Sequence, residues 1–113
     1  MCMKISKEDL LRINRGFDGN LRSDSSLDFA LEKIENKKLG EYKKLAYLTR
    51  AILVDHPFSD GNKRTATFIA FKFAEENKKE VDREVLVHQI TSIAKNNIHN
   101  IRNIENRLKT AIK

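Results

Sequence analysis

Apolar positions along the chain recur at helical spacing in six blocks, each closed by a short polar break. Residues 1–4 read as a frayed start. Ser6 with Asp9 forms a variant capping box, and Leu10, Leu11 and Ile13 follow as a short helix. Gly16, Asp18, Gly19 and Asn20 surround a single Phe17, a composition that makes a loop or a small hairpin. Ser23 to Ser26 offer caps for a second helix carrying Leu27, Ala30, Leu31 and Ile34. The third block, over 41–55, is apolar on nearly every side. The fourth, over 62–79, places Ala66, Phe68, Ile69, Ala70, Phe71 and Phe73 almost all round its first turns. Helices of that kind belong in the middle of a domain. Val85, Leu86, Ile90, Ile93 and Ala94 define a fifth helix, and Ile101, Ile104, Leu108 and Ile112 a sixth. No alternating strand pattern, repeat or linker interrupts the series. The expectation is one compact all-α domain over 1–113, with at most a hairpin near 16–23.

Composition narrows the class only a little. At 113 residues and 40% hydrophobic content the chain can bury one modest core. Its formal charge of +6 suits an acidic partner or simply a solvated surface. Cys2 is the one cysteine, which excludes an intrachain disulfide and a thiolate metal cage. No apolar run is long enough for a membrane span and no signal-peptide pattern opens the chain, so a cytoplasmic protein without a membrane partner is expected. No basic patch is interleaved with aromatics, and nucleic acid is therefore not an expected partner.

Candidate chemistry concentrates in the break between the third and fourth blocks, His56-Pro57-Phe58-Ser59-Asp60-Gly61-Asn62-Lys63-Arg64. Pro57 disfavours helix at His56, and Asp60-Gly61 signals a turn. Asn62, Lys63 and Arg64 then fall in the first turn of the fourth helix, where free backbone N–H groups and the positive dipole end attract anions. Cations are out of place there unless an anion sits among them. His56 is the group able to take a proton near neutral pH, or else a helix C-terminal cap. Asp60 is a ligand for a hard cation or a plain turn residue. Phe17 on its glycine-hinged loop is an ordinary connection or a substrate-contacting flap. His88 and His99 have no metal-binding partner at useful spacing. Each structural alternative is adequate alone, but together these groups put a base, a metal ligand and an anion cradle within nine residues.

The run HPFSDGNKRTA closely resembles the HxFx(D/E)GNxR signature of the Fic/Doc family. Asn20-Leu21-Arg22-Ser23-Asp24 and the helix with Leu27, Ala30 and Leu31 resemble that family's flap and following helix, and the segment from Asn77 through Leu86 on to the terminal helix resembles the short Doc-type members, so the resemblance covers nearly the whole chain. The resemblance implies an all-α fold and transfer from Mg²⁺-ATP to a protein hydroxyl. His56 would be the general base and Asp60 the Mg²⁺ ligand. Gly61, Asn62, Lys63 and Arg64 would bind phosphate, and Phe58 would anchor the loop in the core. Phe17, Asn20, Leu21 and Arg22 would form the flap that pairs with an extended target segment. Adenylyl-transferring members resemble HPFx(D/E)GNGRxxR, whereas Lys63 and Thr67 here replace the second Gly and second Arg. In both respects the chain is more similar to the Doc toxins, which phosphorylate translation elongation factor Tu. The inhibitory [S/T]xxxE[G/N] pattern is absent, which implies restraint by a separate antitoxin, and the flap is shorter than in Doc. The expected function is thus a Doc-like toxin that phosphorylates a target protein and arrests translation. AMP transfer is the alternative reaction, and a non-catalytic basic helical binding module the more distant reading.

Overall fold

A computed structural model describes residues 4–113. Cys2, and the frayed start except for Lys4, lie outside the described residues. Six helices follow in order: α1 (Lys7–Arg15), α2 (Ser25–Ile34), α3 (Glu41–Leu53), α4 (Asn62–Glu76), α5 (Arg83–Lys95) and α6 (Ile101–Ala111). Among the described residues β-structure is confined to two isolated antiparallel bridges, Leu21 with Phe58 and Val81 with Ile112. The all-α expectation holds.

Local chemistry sets most of the boundaries. The Ser6 hydroxyl accepts from the Asp9 N–H at 3.1 Å, and the Asp9 carboxylate accepts from the Ser6 N–H at 2.9 Å, which completes the capping box. Asp82 and Asn100 cap α5 and α6 by accepting from the Val85 and Asn103 N–H groups. None of the serines in 23–26 caps α2. Its N-cap is Asp24, whose carboxylate instead accepts from Lys7 Nζ at 2.8 Å, while Asp28 lies 3.0 Å from the same ammonium. The hydrogen bond with Lys7 holds the Asp24 carboxyl below the usual carboxylate range, and Asp24 and Asp28 together raise Lys7. This tie fastens the start of α2 to α1.

The core is centred on α3, which packs against α2, α4, α5 and α6. Leu45, Leu48 and Ile52 from α3 meet Leu27, Ile69, Phe73, Leu86, Ile90, Ile93, Ile104 and Leu108, all fully or almost fully buried. Each such side chain contributes about 1.5–3 kcal/mol by leaving water. The expected all-round burial of α4 needs correction. Ile69, Ala70 and Phe73 are buried, but Phe68 is 48% and Phe71 36% exposed. Only α1, α3 and α5 cover α4, and its remaining face is open.

Candidate active site

The chain leaves α3 at Val54 and reverses at His56, which has φ +49. That corrects the extended conformation expected of a residue before proline. The cause lies on the far side of the turn. Pro57 is buried, and its carbonyl accepts from the Arg22 N–H at 2.7 Å and the Ser23 N–H at 3.2 Å, so the chain must double back sharply to meet them. Histidine tolerates this left-handed region better than most residues. Its imidazole is exposed.

Phe58 is 1% exposed and sits in the hydrophobic core. Its backbone is gripped by Asn62, whose Nδ2 donates to the Phe58 carbonyl at 3.1 Å and whose Oδ1 accepts the Phe58 N–H at 3.3 Å. The Asn62 amide is therefore committed to holding the loop, and its contribution to an anion site is its backbone N–H. Gly61 is the N-cap of α4 at φ +72, a conformation that favours glycine, and it brings no capping side chain. The first backbone bond of the helix runs from the Thr65 N–H to the Gly61 carbonyl at 2.8 Å. The N–H groups of Asn62, Lys63 and Arg64 are thus left facing outward.

His56, Ser59, Asp60, Gly61, Asn62, Lys63 and Arg64 line one cavity of about 390 Å³. Lys63 and Arg64 are exposed and form no ion pair among the described residues. Asp60 Oδ1 accepts from the Gly61 N–H at 2.8 Å, which orients the carboxylate and leaves its second oxygen available. The described residues contain no group of three His, Cys, Asp or Glu able to hold a metal by themselves. One carboxylate beside an anion cradle is instead the donor set for Mg²⁺ carried on phosphates, which together with water would supply its other oxygens. A second cavity of about 500 Å³ shares Lys63 and Arg64 with the first. It is walled by Phe17, Phe68, Phe71, Val87 and Ile90, with Arg83 and Thr91 also contributing. The open face of α4 is one side of this second chamber.

The flap residues pair with the loop rather than with one another. The Asn20 carbonyl accepts from the Ser59 N–H at 2.8 Å, and the Asn20 N–H donates to Ser59 Oγ at 3.0 Å. With the Arg22 bond to Pro57, this makes Leu21 and Phe58 a non-hydrogen-bonded antiparallel pair. The segment is no self-contained hairpin, because its bonding partner is the candidate catalytic loop. In this geometry the Leu21 N–H and carbonyl point away from the loop. Phe17 packs edge-on against Phe68, with ring centroids 6.3 Å apart.

Two supporting residues escape sequence reading. Asn14, fully buried at the end of α1, donates through Nδ2 to the Asp60 carbonyl at 2.8 Å and to Thr65 Oγ1 at 3.1 Å. Gly19 is packed so closely that a Cβ would overlap both Asn14 Oδ1 and the Asp60 carbonyl oxygen. Nothing in the sequence around Asn14 marks it, and Gly19 reads merely as a turn former. Replacing Asn14 by Asp would bring a carboxylate against the Asp60 carbonyl and remove the donor. We expect a loss of about 1–3 kcal/mol in chemical unfolding, with catalysis reduced further than stability alone explains.

No curated protein and no solved structure matches the chain. A family model described as Fic/DOC family matches residues 4–74, a span that includes the flap, the His56–Arg64 loop and nearly all of α4. That match covers more than half of the 113 residues and contains every candidate site residue, so the chain belongs to the Fic/DOC family.

Proposed function

We propose that the protein is a Doc-like kinase that transfers the γ-phosphoryl group of Mg²⁺-ATP to a hydroxyl of a target protein. The observation that carries this reading is the shared cavity, in which His56 and Asp60 flank the uncapped N-terminus of α4. In the reaction, an imidazole nitrogen of His56 accepts the proton of the target hydroxyl as its oxygen bonds to phosphorus. The phosphoanhydride bond breaks and ADP leaves with its electron pair. Lys63, Arg64 and the backbone N–H groups from Asn62 to Arg64 neutralise charge on the phosphoryl oxygens. Mg²⁺ held by Asp60 would screen the phosphates. The apolar chamber between Phe17, Phe68 and Val87 is of a size and character to seat the nucleoside. An extended target segment would add to the outward edge of the flap at Leu21.

The choice of γ-phosphate over AMP rests on Thr67. One turn beyond Lys63, its hydroxyl donates to the Lys63 carbonyl at 2.8 Å, and this turn carries no second guanidinium to hold the phosphates for α-transfer. Biologically we infer a toxin held in check by a separate antitoxin, with elongation factor Tu as the first target to test. Purified protein, Mg²⁺ and elongation factor Tu or a bacterial extract would be incubated with ATP labelled in parallel at the α and γ positions. Label on a protein from γ alone is expected. Label from α would replace this reading with AMP transfer, and no label from either position would leave the binding-module reading in its place.

A further inference from the structure

Away from the catalytic loop, α6 and one residue of α5 form an open, shallow groove of about 680 Å³. Its lining includes Gln89, Asn100, Arg102, Asn103, Asn106 and Arg107, and no carboxylate. Arg107 is fixed in place by uncharged groups. Its Nε donates to Asn103 Oδ1 at 2.7 Å, and one terminal nitrogen donates to Gln89 Oε1 at 2.9 Å and Ser92 Oγ at 3.1 Å. Neither Arg107 nor Arg102 is in an ion pair among the described residues. A partly buried guanidinium held without a counter-ion is poised for an anion.

Three of the four amides around it are turned the same way. The side-chain oxygens of Gln89 and Asn103 accept from Arg107, and that of Asn100 accepts from the Asn103 N–H. Their three NH₂ groups remain as donors. Together with the guanidinium of Arg102 and the free terminal nitrogen of Arg107, they make a groove rich in donors, which complements a ligand rich in acceptors. Along α6 it runs from Arg102 to Thr110, about 12 Å at roughly 1.5 Å per residue, which is longer than a single phosphate. The lining contains no aromatic ring, so the ligand is gripped by its backbone and not by stacked bases. Thr110, which donates to the Arg107 carbonyl, keeps its lone pairs, and the Asn106 amide keeps its oxygen. Those acceptors match a 2′-hydroxyl, which only the RNA backbone carries.

We propose that the α5–α6 groove binds one strand of RNA through its phosphodiester backbone. Sequence reading sets nucleic acid aside because no contiguous basic-aromatic run exists. The groove is assembled instead from positions on two helices and from Asn100 before α6.

The test is fluorescence anisotropy of the full-length protein with a labelled 12-nucleotide RNA of mixed sequence, followed from 50 to 200 mM salt. With two phosphates neutralised the affinity should fall about sevenfold over that range, a log–log slope near −1.4. Arg102→Gln, on the exposed rim, should reduce the slope by about 0.7, and Arg102→Gln with Arg107→Gln should abolish it. Lys37→Gln with Lys38→Gln, an equal change of charge elsewhere on the surface, should leave binding unaltered, as should His56→Asn. Circular dichroism melts exclude unfolding as the cause, and Arg102→Gln tests the site even if loss of Arg107 loosens α5 from α6. Three results would overturn the proposal. They are equal weakening by the Lys37/Lys38 control, equal affinity for DNA of the same sequence, and preferential binding of a poly-glutamate peptide over RNA.

Discussion

Protein labelling falls by about 10²–10⁴-fold when His56 is replaced by Asn, while the chain melts with the wild type. Asparagine is chosen because its side chain is compatible with the left-handed turn at φ +49. Alanine would add a backbone cost of about 1–2 kcal/mol and confuse loss of the base with loss of the turn. Asparagine cannot take up a proton near neutral pH. A large fall in the transfer rate with nucleotide affinity unchanged is therefore the signature of a missing general base. The measurement is single-turnover transfer of labelled phosphate, paired with nucleotide binding by calorimetry. Wild-type turnover in His56→Asn would remove His56 from the chemistry and leave the cavity as a binding site only.

Gly19→Ala should damage the site although Gly19 itself does not line it. The added methyl group overlaps the Asn14 side chain and the Asp60 carbonyl, neither of which is a flexible chain end. Relief requires the loop from Asp60 to Gly61 to move off α1, at about 1–3 kcal/mol. For a domain of this size each kcal/mol lowers the melting temperature by about 4–8 °C. The kinetic penalty is larger, since displacing a positioned group by about 1 Å costs roughly 10²-fold. Gly40→Ala is the control, because a Cβ there meets nothing within 4 Å and the N-cap effect is below about 1 kcal/mol. If Gly19→Ala melts and turns over like the wild type, the interlock between α1 and the loop has no part in holding Asp60.

How much of this could be read from the chain depended on the range of the forces involved. Helix positions are set by neighbours three and four residues apart, and the capping box at Ser6 and Asp9 was legible for that reason. The turn at Asp60-Gly61 is equally local. His56 shows where local reasoning fails. The preference imposed by Pro57 is overridden by two hydrogen bonds from Arg22 and Ser23, more than thirty residues away in sequence. Phe68 and Phe71 fail for a different reason. Hydrophobic periodicity reports which residues prefer burial, not whether a small domain has enough helices to cover them all. Here α4 is left with one open side, and that side walls a cavity next to the candidate phosphate cradle. Asn62 was legible as a member of the motif, but its amide is aimed at Phe58, a matter of rotamer and partner that spacing does not encode.

Asn14 also bears on when the protein becomes competent. Its bonds to the Asp60 carbonyl in the loop and to Thr65 in α4 span 46 and 51 positions of sequence, and the pairing of Leu21 with Phe58 is also long-range. Long-range closures of this kind form late, after the entropy of the intervening chain has been overcome. During synthesis α1 leaves the ribosome before α4. The loop acquires its shape only once α4 has emerged and docked against α1. Until α4 docks against α1, the candidate loop therefore lacks the bonds that Asn14 supplies to Asp60 and Thr65, and its position depends on that closure.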